Sequence, residues 1–289
     1  MNTVRTAVLL AALTGLLLAV GAFFGGTKGM TIMFVVSLLM NFVNYWFSDK
    51  IVLSMYGARE VPPQDAVDLI KMVSGLAKKA KLPIPKVYII DTDVPNAFAT
   101  GRYPKHAAVA VTTGLMRVLK DEELEGVIAH ELAHIKNHDT LVSTIVATVA
   151  GVITMIANIA QWTAFLGLGN HNDEESSGVT SIVEFIFLVL LAPIAATLIQ
   201  LGISRAREFQ ADKIGSSISG NPISLANALE KIEYYAKDKV MLEATPATSH
   251  MFIVNPFSGA GSWMMRLFST HPTTSDRVIK LKELAKNVR

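Results

Sequence analysis

Uncharged hydrophobic residues are concentrated in long blocks of the chain. The first block runs from Thr6 to Gly26 and the second from Met30 to Phe47, with Lys28 as the single charge in the short turn between them. A helix that crosses a bilayer needs roughly 20 apolar residues. Tyr45 and Trp46 near the end of the second block are residue types that favour a membrane interface. The pattern predicts an N-terminal transmembrane hairpin. A cleaved signal peptide is the alternative, and the second block that follows at once argues against it.

A second pair of hydrophobic blocks lies in the middle of the chain. No charged residue occurs from Leu141 to Gly169, and Val179 to Ser204 contains only Glu184. Asn158, Gln161 and Gln200 make this pair more polar than the first. Two interpretations stay open: two further membrane spans, or a buried or re-entrant helical pair.

The placement of lysine and arginine predicts a topology for four spans. Basic residues lie beside the outer ends of the predicted hairpins, and these are Arg5, Lys50, Arg59, Lys136, Arg205 and Arg207. Such residues mark the cytoplasmic side, and Lys28 is the one exception. We therefore expect the termini and segment 50–140 to face the cytoplasm, and the acidic loop Asp173–Glu175 to face outward.

The polar segments alternate between helical and extended patterns. We expect a mainly α membrane protein with a small β-sheet of about three strands. The predicted strands are Lys86–Asp91, Asn96–Ala99 and Ala107–Thr112, and the predicted helices are 64–80, Asp121–Thr140, Arg205–Ile218, Ser224–Lys237 and Thr274–Val288. The domain prediction is a hairpin at 1–50, a polar domain formed by 51–140 and 204–289, and a second hydrophobic hairpin at 141–203.

Composition narrows the class of protein and the chemistry open to it. Hydrophobic residues make up 51% of the chain and charged residues 17%, against about 25% charged in a typical soluble domain. This balance excludes a disordered, fibrous or ordinary cytosolic chain. A net charge of +2 gives no support for nucleic-acid binding. The chain has no cysteine, so a metal would have to be held by histidine and carboxylates.

One predicted helix contains a pattern typical of zinc hydrolases. His130 and His134 are four residues apart, so both rings lie on one helix face and can converge on one ion. Glu131 is offset from that line and can serve as a general base for an attacking water. The alternative is a pair of helix histidines with structural hydrogen bonds.

The third metal ligand is predicted on another helix. In one class of zinc helix a glycine and a third histidine follow the motif, but Asn137 and Thr140 occupy those positions here. His138 would lie a further turn along a regular helix, too far to share the ion easily. The class that takes a glutamate from a second helix fits better.

Glu208 and Asp212 supply such a pattern, because they too are four residues apart. We assign Glu208 as the third ligand. Asp212 would accept the distal N–H of a zinc histidine, most simply that of His130, and fix its tautomer. The alternative is an exposed charged face on which both carboxylates pair with Arg205 and Arg207.

The order of these motifs resembles the HtpX family of membrane zinc endopeptidases, which are related to the CAAX prenyl proteases. The family carries the His-Glu-x-x-His and Glu-x-x-x-Asp motifs in this order, after two N-terminal spans and on either side of a hydrophobic pair. Further matches lie at 96–101, 251–256 and 269–272, followed by Arg277. The resemblance covers nearly the whole chain.

The resemblance implies a gluzincin-type metalloprotease domain with four hydrophobic helices and one Zn²⁺ per chain. It implies an enzyme of the bacterial inner membrane that degrades damaged or misfolded membrane proteins during stress. Its partners would be those substrates and the lipid bilayer, with no nucleic acid, and the oligomeric state stays open.

The resemblance also assigns two further parts of the site. His271 would lie near the zinc as a hydrogen-bond donor or an occasional extra ligand, although the residues alone equally favour a histidine at a helix start. Asn96, Ala97, Phe98 and Ala99 would form an edge strand beside the cleft, to which a substrate peptide could add as a further strand.

Three other functions fit the sequence less well. A membrane scaffold or holdase with a structural metal would need no base at the position of Glu131. A transporter is disfavoured by the few charges within the hydrophobic blocks. A prenyl-protein protease has more spans than the four predicted here.

Overall fold

The computed structural model describes residues 2–62, 64–142, 145, 205–237, 252–253 and 272–287. Almost all of the second hydrophobic pair lies outside these residues, and so do the acidic loop and His271.

The N-terminal hydrophobic segments form a helical hairpin. Helix α1 (Asn2–Met55) is interrupted at Gly25 and Gly26, and Gly26 has φ 54° and ψ −141°, a conformation that suits glycine. Across the hairpin, Asn41 Nδ2 donates a hydrogen bond of 2.9 Å to Thr14 Oγ1. A methyl group on Gly21 or Gly29 would overlap the backbone of the other, so the two arms are in close contact there. The interruption lies at the end of the first predicted hydrophobic block, Thr6–Gly26.

The outer surface of the hairpin is strongly apolar. Ile32 and Leu39 are each 62% exposed, and Phe42 and Trp46 are exposed too. In the described part of the chain, one helix, Gly25–Phe47, is long and apolar enough to cross a membrane, judged by length and composition. Leu10–Ala19 is a shorter apolar helix. The arrangement of four full spans therefore stays a prediction.

A small mixed sheet follows the hairpin. Its strands are β1 (Arg59–Glu60), β2 (Lys86–Ile90), β3 (Ala97–Thr100) and β4 (Ala108–Thr112), in the spatial order β1-β2-β4-β3. Strands β2 and β4 are parallel, and the other neighbours are antiparallel. Three strands match the sequence prediction. The prediction missed β1, because two exposed residues are too few to show alternation.

The two faces of the sheet pack against different parts of the chain. Val109 and Val111 of β4 face the main core, while Ala108 and Ala110 pack with Val52 and Leu53 at the end of α1. Because helix α1 of the hairpin runs on into this contact, the sheet is fixed directly to the helical hairpin.

Six helices complete the described polar domain. They are α2 (Val67–Ala80), α3 (Thr113–Val118), α4 (Asp121–Lys136), α5 (Arg205–Ser219), α6 (Pro222–Lys237) and α7 (Thr274–Asn287), with a 3-10 turn at Pro104–His106 between β3 and β4. Helix α4 is central and contacts α2, α5, α6 and β3. The short α3 and the 3-10 turn were not predicted.

The end of α4 differs from the prediction of a helix to Thr140. The helix ends at Lys136, and His138 has a left-handed φ of 58°. Helical backbone resumes at 139–142. The prediction was wrong here because composition alone did not reveal a left-handed backbone conformation at a non-glycine residue.

Candidate metal centre

Three predicted ligands converge at one point between α4 and α5. His130 Nε2 and His134 Nε2 lie 3.2 Å apart, and the Glu208 carboxylate oxygens lie 3.5 Å from His130 Nε2 and 3.6 Å from His134 Nε2. Atoms bound tetrahedrally to Zn²⁺ at about 2.0–2.1 Å are roughly 3.3–3.4 Å from each other. The spacing and the donor set therefore fit a zinc-sized ion, and these residues can hold one.

The convergence depends on close packing of the two helices. Helix α5 buries Glu208, Ala211, Asp212 and Gly215, a set with the spacing of one helix face. A methyl group at Gly215 would come within 2.8 Å of the backbone N and Cα of His130. Glycine at this position therefore lets α5 approach α4 closely enough for Glu208 to reach both imidazoles.

Glu131 lies beside the metal-ligand cluster and is held by the sheet. Its residue exposure is 6%, and its Oε2 accepts a 2.9 Å hydrogen bond from the backbone N–H of Ala99 in β3. Burial raises the pKa of this carboxyl above its ordinary value, although His130 and His134 act in the opposite direction. A buried carboxylate with a raised pKa suits a group that takes up and returns a proton.

A buried carboxylate and a buried arginine support His130. Asp212 Oδ1 lies 3.0 Å from His130 Nδ1. Arg277 binds Asp212 through two nitrogens, at 2.7 and 2.9 Å, and donates to the carbonyl of Ile253 at 2.8 Å. Burial would raise the pKa of Asp212, but Arg277 and His130 outweigh it and hold that pKa below its ordinary value. The carboxylate is thus a charged acceptor.

The same surroundings favour a proton on His130 when no metal is bound. Burial and the Arg277 charge both oppose that proton, but Asp212 and Glu208 outweigh them and raise the pKa of His130 to about 9. A metal that binds at this ring therefore displaces a proton.

His134 also has a carboxylate partner, which the sequence analysis missed. Asp139 Oδ2 lies 3.3 Å from His134 Nδ1, and Asp139 Oδ1 lies 3.5 Å from Arg207 Nη1. Residues five apart on a regular helix face different directions, so helical spacing gave no signal for this contact.

Arg277 was found only as a family match, without a role. It is 1% exposed, which is rare for arginine unless it is paired. The sequence offered no local signal for this pairing, since Arg277 and Asp212 belong to different helices.

The predicted substrate strand lies at the edge of the sheet. Strand β3 pairs on one side with β4, and the described part of the sheet ends at β3. Asn96 precedes the strand and is buried, and its Oδ1 accepts a hydrogen bond of 3.1 Å from the Ile253 N–H. The side chain of Asn96 thus connects the start of β3 to the backbone of Ile253. His271, the remaining predicted site residue, lies outside the described residues.

Comparison with known proteins agrees with this geometry. The profile of peptidase family M48 matches residues 63–285, which is more than half of the chain. The chain belongs to peptidase family M48. This confirms the family resemblance that the sequence motifs indicated.

Curated M48 relatives named Protease HtpX homolog match over nearly the full chain. The homologue of Sulfurihydrogenibium sp. is 52% identical over 293 residues, covering 100% of this chain and 98% of the relative. The Aquifex aeolicus homologue is 52% identical and covers 95% and 90%, and the Burkholderia ambifaria homologue is 51% identical and covers 100% and 99%.

A solved structure also shares the M48 fold. The crystal structure of S. mikatae Ste24p superposes with a TM-score of 0.52 at 17% identity, and the match covers 97% of this chain and 65% of that one. The M48 domain described here is mostly helical with a small mixed sheet. Family and relatives together identify the chain as a membrane metalloprotease.

Proposed function

We propose that this M48 protein is a zinc-dependent endopeptidase of the bacterial inner membrane with a gluzincin-type domain, a cytoplasmic active site and four membrane spans. Its substrates would be damaged or misfolded membrane proteins. The observation that carries the proposal is the cluster of His130, His134 and Glu208, with buried Glu131 beside it. The domain boundaries near residues 50, 140 and 203 belong to this proposal.

The chain's own residues would hold one Zn²⁺ through His130 Nε2, His134 Nε2 and a Glu208 oxygen. When bound, zinc supplies Lewis acidity, which acidifies a water molecule and stabilises negative charge on a carbonyl oxygen. Histidine and carboxylate ligands suit this ion.

Glu131 would act as general base and then as general acid. Its carboxylate takes a proton from the water that attacks the scissile carbonyl, and gives that proton to the departing amine. The Ala99 N–H fixes one carboxylate oxygen, so the group stays oriented through both proton transfers.

Substrate peptides would bind along β3. The Ala99 N–H points away from β4 and towards Glu131, and the alternation of an antiparallel ladder gives Ala97 the same outward direction. A peptide would therefore pair with the main chain of Ala97 and with the Ala99 carbonyl. Such pairing makes little demand on the substrate's side chains.

A contact between the β3–β4 connection and the hydrophobic hairpin supports the proposed substrate class. The β3–β4 connection contacts the aromatic end of the hairpin, where the Arg102 guanidinium lies 4.3 Å from the centre of the Trp46 ring. Strand β3 leads directly into this contact, so a peptide bound along β3 would lie near the proposed membrane-facing end of the domain.

The decisive test compares Glu131→Gln with the wild-type protein. The variant should keep one bound Zn²⁺ per chain, because Glu131 is not a proposed ligand, and should lose at least about 100-fold in peptidase activity on an unfolded protein. Metal analysis and a cleavage assay measure the two properties. Glu122→Gln is the matched control, since Glu122 is exposed on the same helix. Near-native activity of zinc-loaded Glu131→Gln protein would exclude the role of Glu131.

A further inference from the structure

We propose that Asp139, held by Arg207, is the positioning residue for His134. This inference rests on the proposed function, because it concerns how one metal ligand is oriented. We call a carboxylate that contacts a metal-ligand histidine, together with the arginine that pairs with it, an arm of the site. Asp139 and Arg207 form a second arm, beside the one that Asp212 and Arg277 form behind His130.

The contacts of His134 leave its two ring nitrogens with different partners. Its Nε2 faces His130 and Glu208, and its Nδ1 faces the Asp139 carboxylate at 3.3 Å. A carboxylate at Nδ1 accepts that N–H and leaves the Nε2 lone pair free for a metal. Asp139 therefore selects the tautomer of His134 that can act as a ligand.

The break at the end of α4 is what brings Asp139 to this position. In an uninterrupted helix, a residue five positions on would point about 140° away from His134. Here the left-handed backbone of His138 interrupts the helix, and the Asp139 carboxylate lies against His134 Nδ1. A positive φ is uncommon for a residue other than glycine and costs conformational energy. The local packing therefore maintains a strained residue next to this contact.

Arg207 completes the arm from the other metal-binding helix. Its Nη1 lies 3.5 Å from Asp139 Oδ1, and the two side chains are 12% and 5% exposed. Arg207 directly precedes Glu208 in α5. The pair thus links the segment after α4 to the start of α5. This link fixes the position of His134 relative to Glu208.

The two arms have the same chemistry but different origins. In the first arm His130 contacts Asp212, which pairs with Arg277. In the second arm His134 contacts Asp139, which pairs with Arg207. In each arm the carboxylate is buried and faces a ring nitrogen that is turned away from the metal-ligand cluster. The repetition indicates that both rings are oriented by charge-assisted contacts.

The test measures zinc affinity of the full chain in detergent by competition with a chromophoric chelator. Asp139→Asn should bind Zn²⁺ about 10- to 100-fold more weakly than wild type. The visible absorption of the Co²⁺-substituted variant should also shift, which a distant folding defect would not cause. Asp93→Asn is the matched control, because Asp93 pairs with Arg117 on the surface, away from the metal site.

Arg207→Gln provides a second route to the same answer. It should weaken Zn²⁺ binding several-fold, and the double variant with Asp139→Asn should bind no more weakly than Asp139→Asn alone, since Arg207 acts through Asp139. If Asp139→Asn fails to fold, as judged by circular dichroism, Arg207→Gln carries the test.

The outcomes separate this inference from the proposed function. Wild-type zinc affinity and an unchanged Co²⁺ spectrum in the folded Asp139→Asn variant, or in Arg207→Gln where that variant carries the test, would overturn the positioning role and leave the zinc site standing. A wild-type chain that binds no Zn²⁺ would overturn the proposed function and this inference together.

Discussion

At the scale of single residues, the geometry of the site depends on the carboxylate that contacts each proposed histidine ligand. His130 and His134 share one helix face, yet Asp212 reaches the first from α5 and Asp139 reaches the second from beyond a helix break. Buried carboxylates of this kind persist because each is paired with an arginine. The ligands are therefore held in place before a metal arrives.

A pH prediction follows for the metal-free protein. The pKa of His130 is raised from 6.5 to about 9, so its proton stabilises the folded chain fully below pH 6.5, and this contribution is lost as the pH rises through about 9. Zinc needs the neutral ring, so zinc-saturated protein should not show this loss. We expect the thermal unfolding midpoint of chelator-treated protein to decrease as the pH is raised from 6.5 to about 9.

The matched control is His130→Gln. Its thermal unfolding midpoint should not show this decrease with rising pH. Equal pH slopes for chelator-treated wild type and His130→Gln would show that the proton on His130 contributes nothing to stability.

At the scale of elements, the contact between α4 and α5 builds the metal site. The side chains of Glu208 and Asp212 face α4 because they belong to the buried face of α5, and Gly215 on the same face sets how closely the helices approach. The atoms that a larger residue would meet belong to the backbone of α4, which cannot rotate away.

Gly215→Ala should therefore separate the two helices. We expect a loss of about 1–3 kcal/mol in stability from overpacking, with weaker Zn²⁺ binding because Glu208 moves away from the imidazoles. Gly75→Ala is the control: no atom lies within 4 Å of the added methyl group, and Gly75 is an exposed position of α2.

The control variant should gain about 0.5–1 kcal/mol from the higher helix propensity of alanine. Thermal unfolding and metal titration measure both variants. A Gly215→Ala protein with wild-type stability and zinc affinity would show that close helix approach is not required.

At the scale of the whole molecule, the membrane hairpin and the sheet form one structure. Val52 and Leu53 at the end of α1 pack with Phe98 of β3, and Arg102 lies over Trp46 at the apolar end of the hairpin. In the proposed function, β3 would therefore lie at a constant height above the bilayer, and substrates would be chosen by their proximity to the membrane.

Topology can be tested cleanly because the chain has no native cysteine. A cysteine placed by Lys28→Cys, in the hairpin turn, should react with an impermeant maleimide in intact cells. One placed by Glu122→Cys, on exposed α4, should react only after permeabilisation. The reverse labelling pattern would place the metal centre on the outer side and contradict the proposed cytoplasmic site.

The sequence determined those parts of the fold and of the site that depend on patterns within a single helix. The two N-terminal apolar blocks lie in α1, His130 and His134 lie in α4, and Glu208 and Asp212 lie in α5. Within one helix, the spacing of residues fixes their relative direction. The lack of cysteine likewise limited the metal ligands to histidine and carboxylates.

Tertiary structure decided the contacts between elements. The sequence did not determine that Arg277 would pair with Asp212, that Ala99 would bind Glu131, or that Asp139 would return to His134. These contacts depend on how helices and strands pack, or on a left-handed backbone at the non-glycine residue His138. Short-range periodicity encodes neither of these. The sequence thus specified the proposed ligands, and packing specified the contacts that support them.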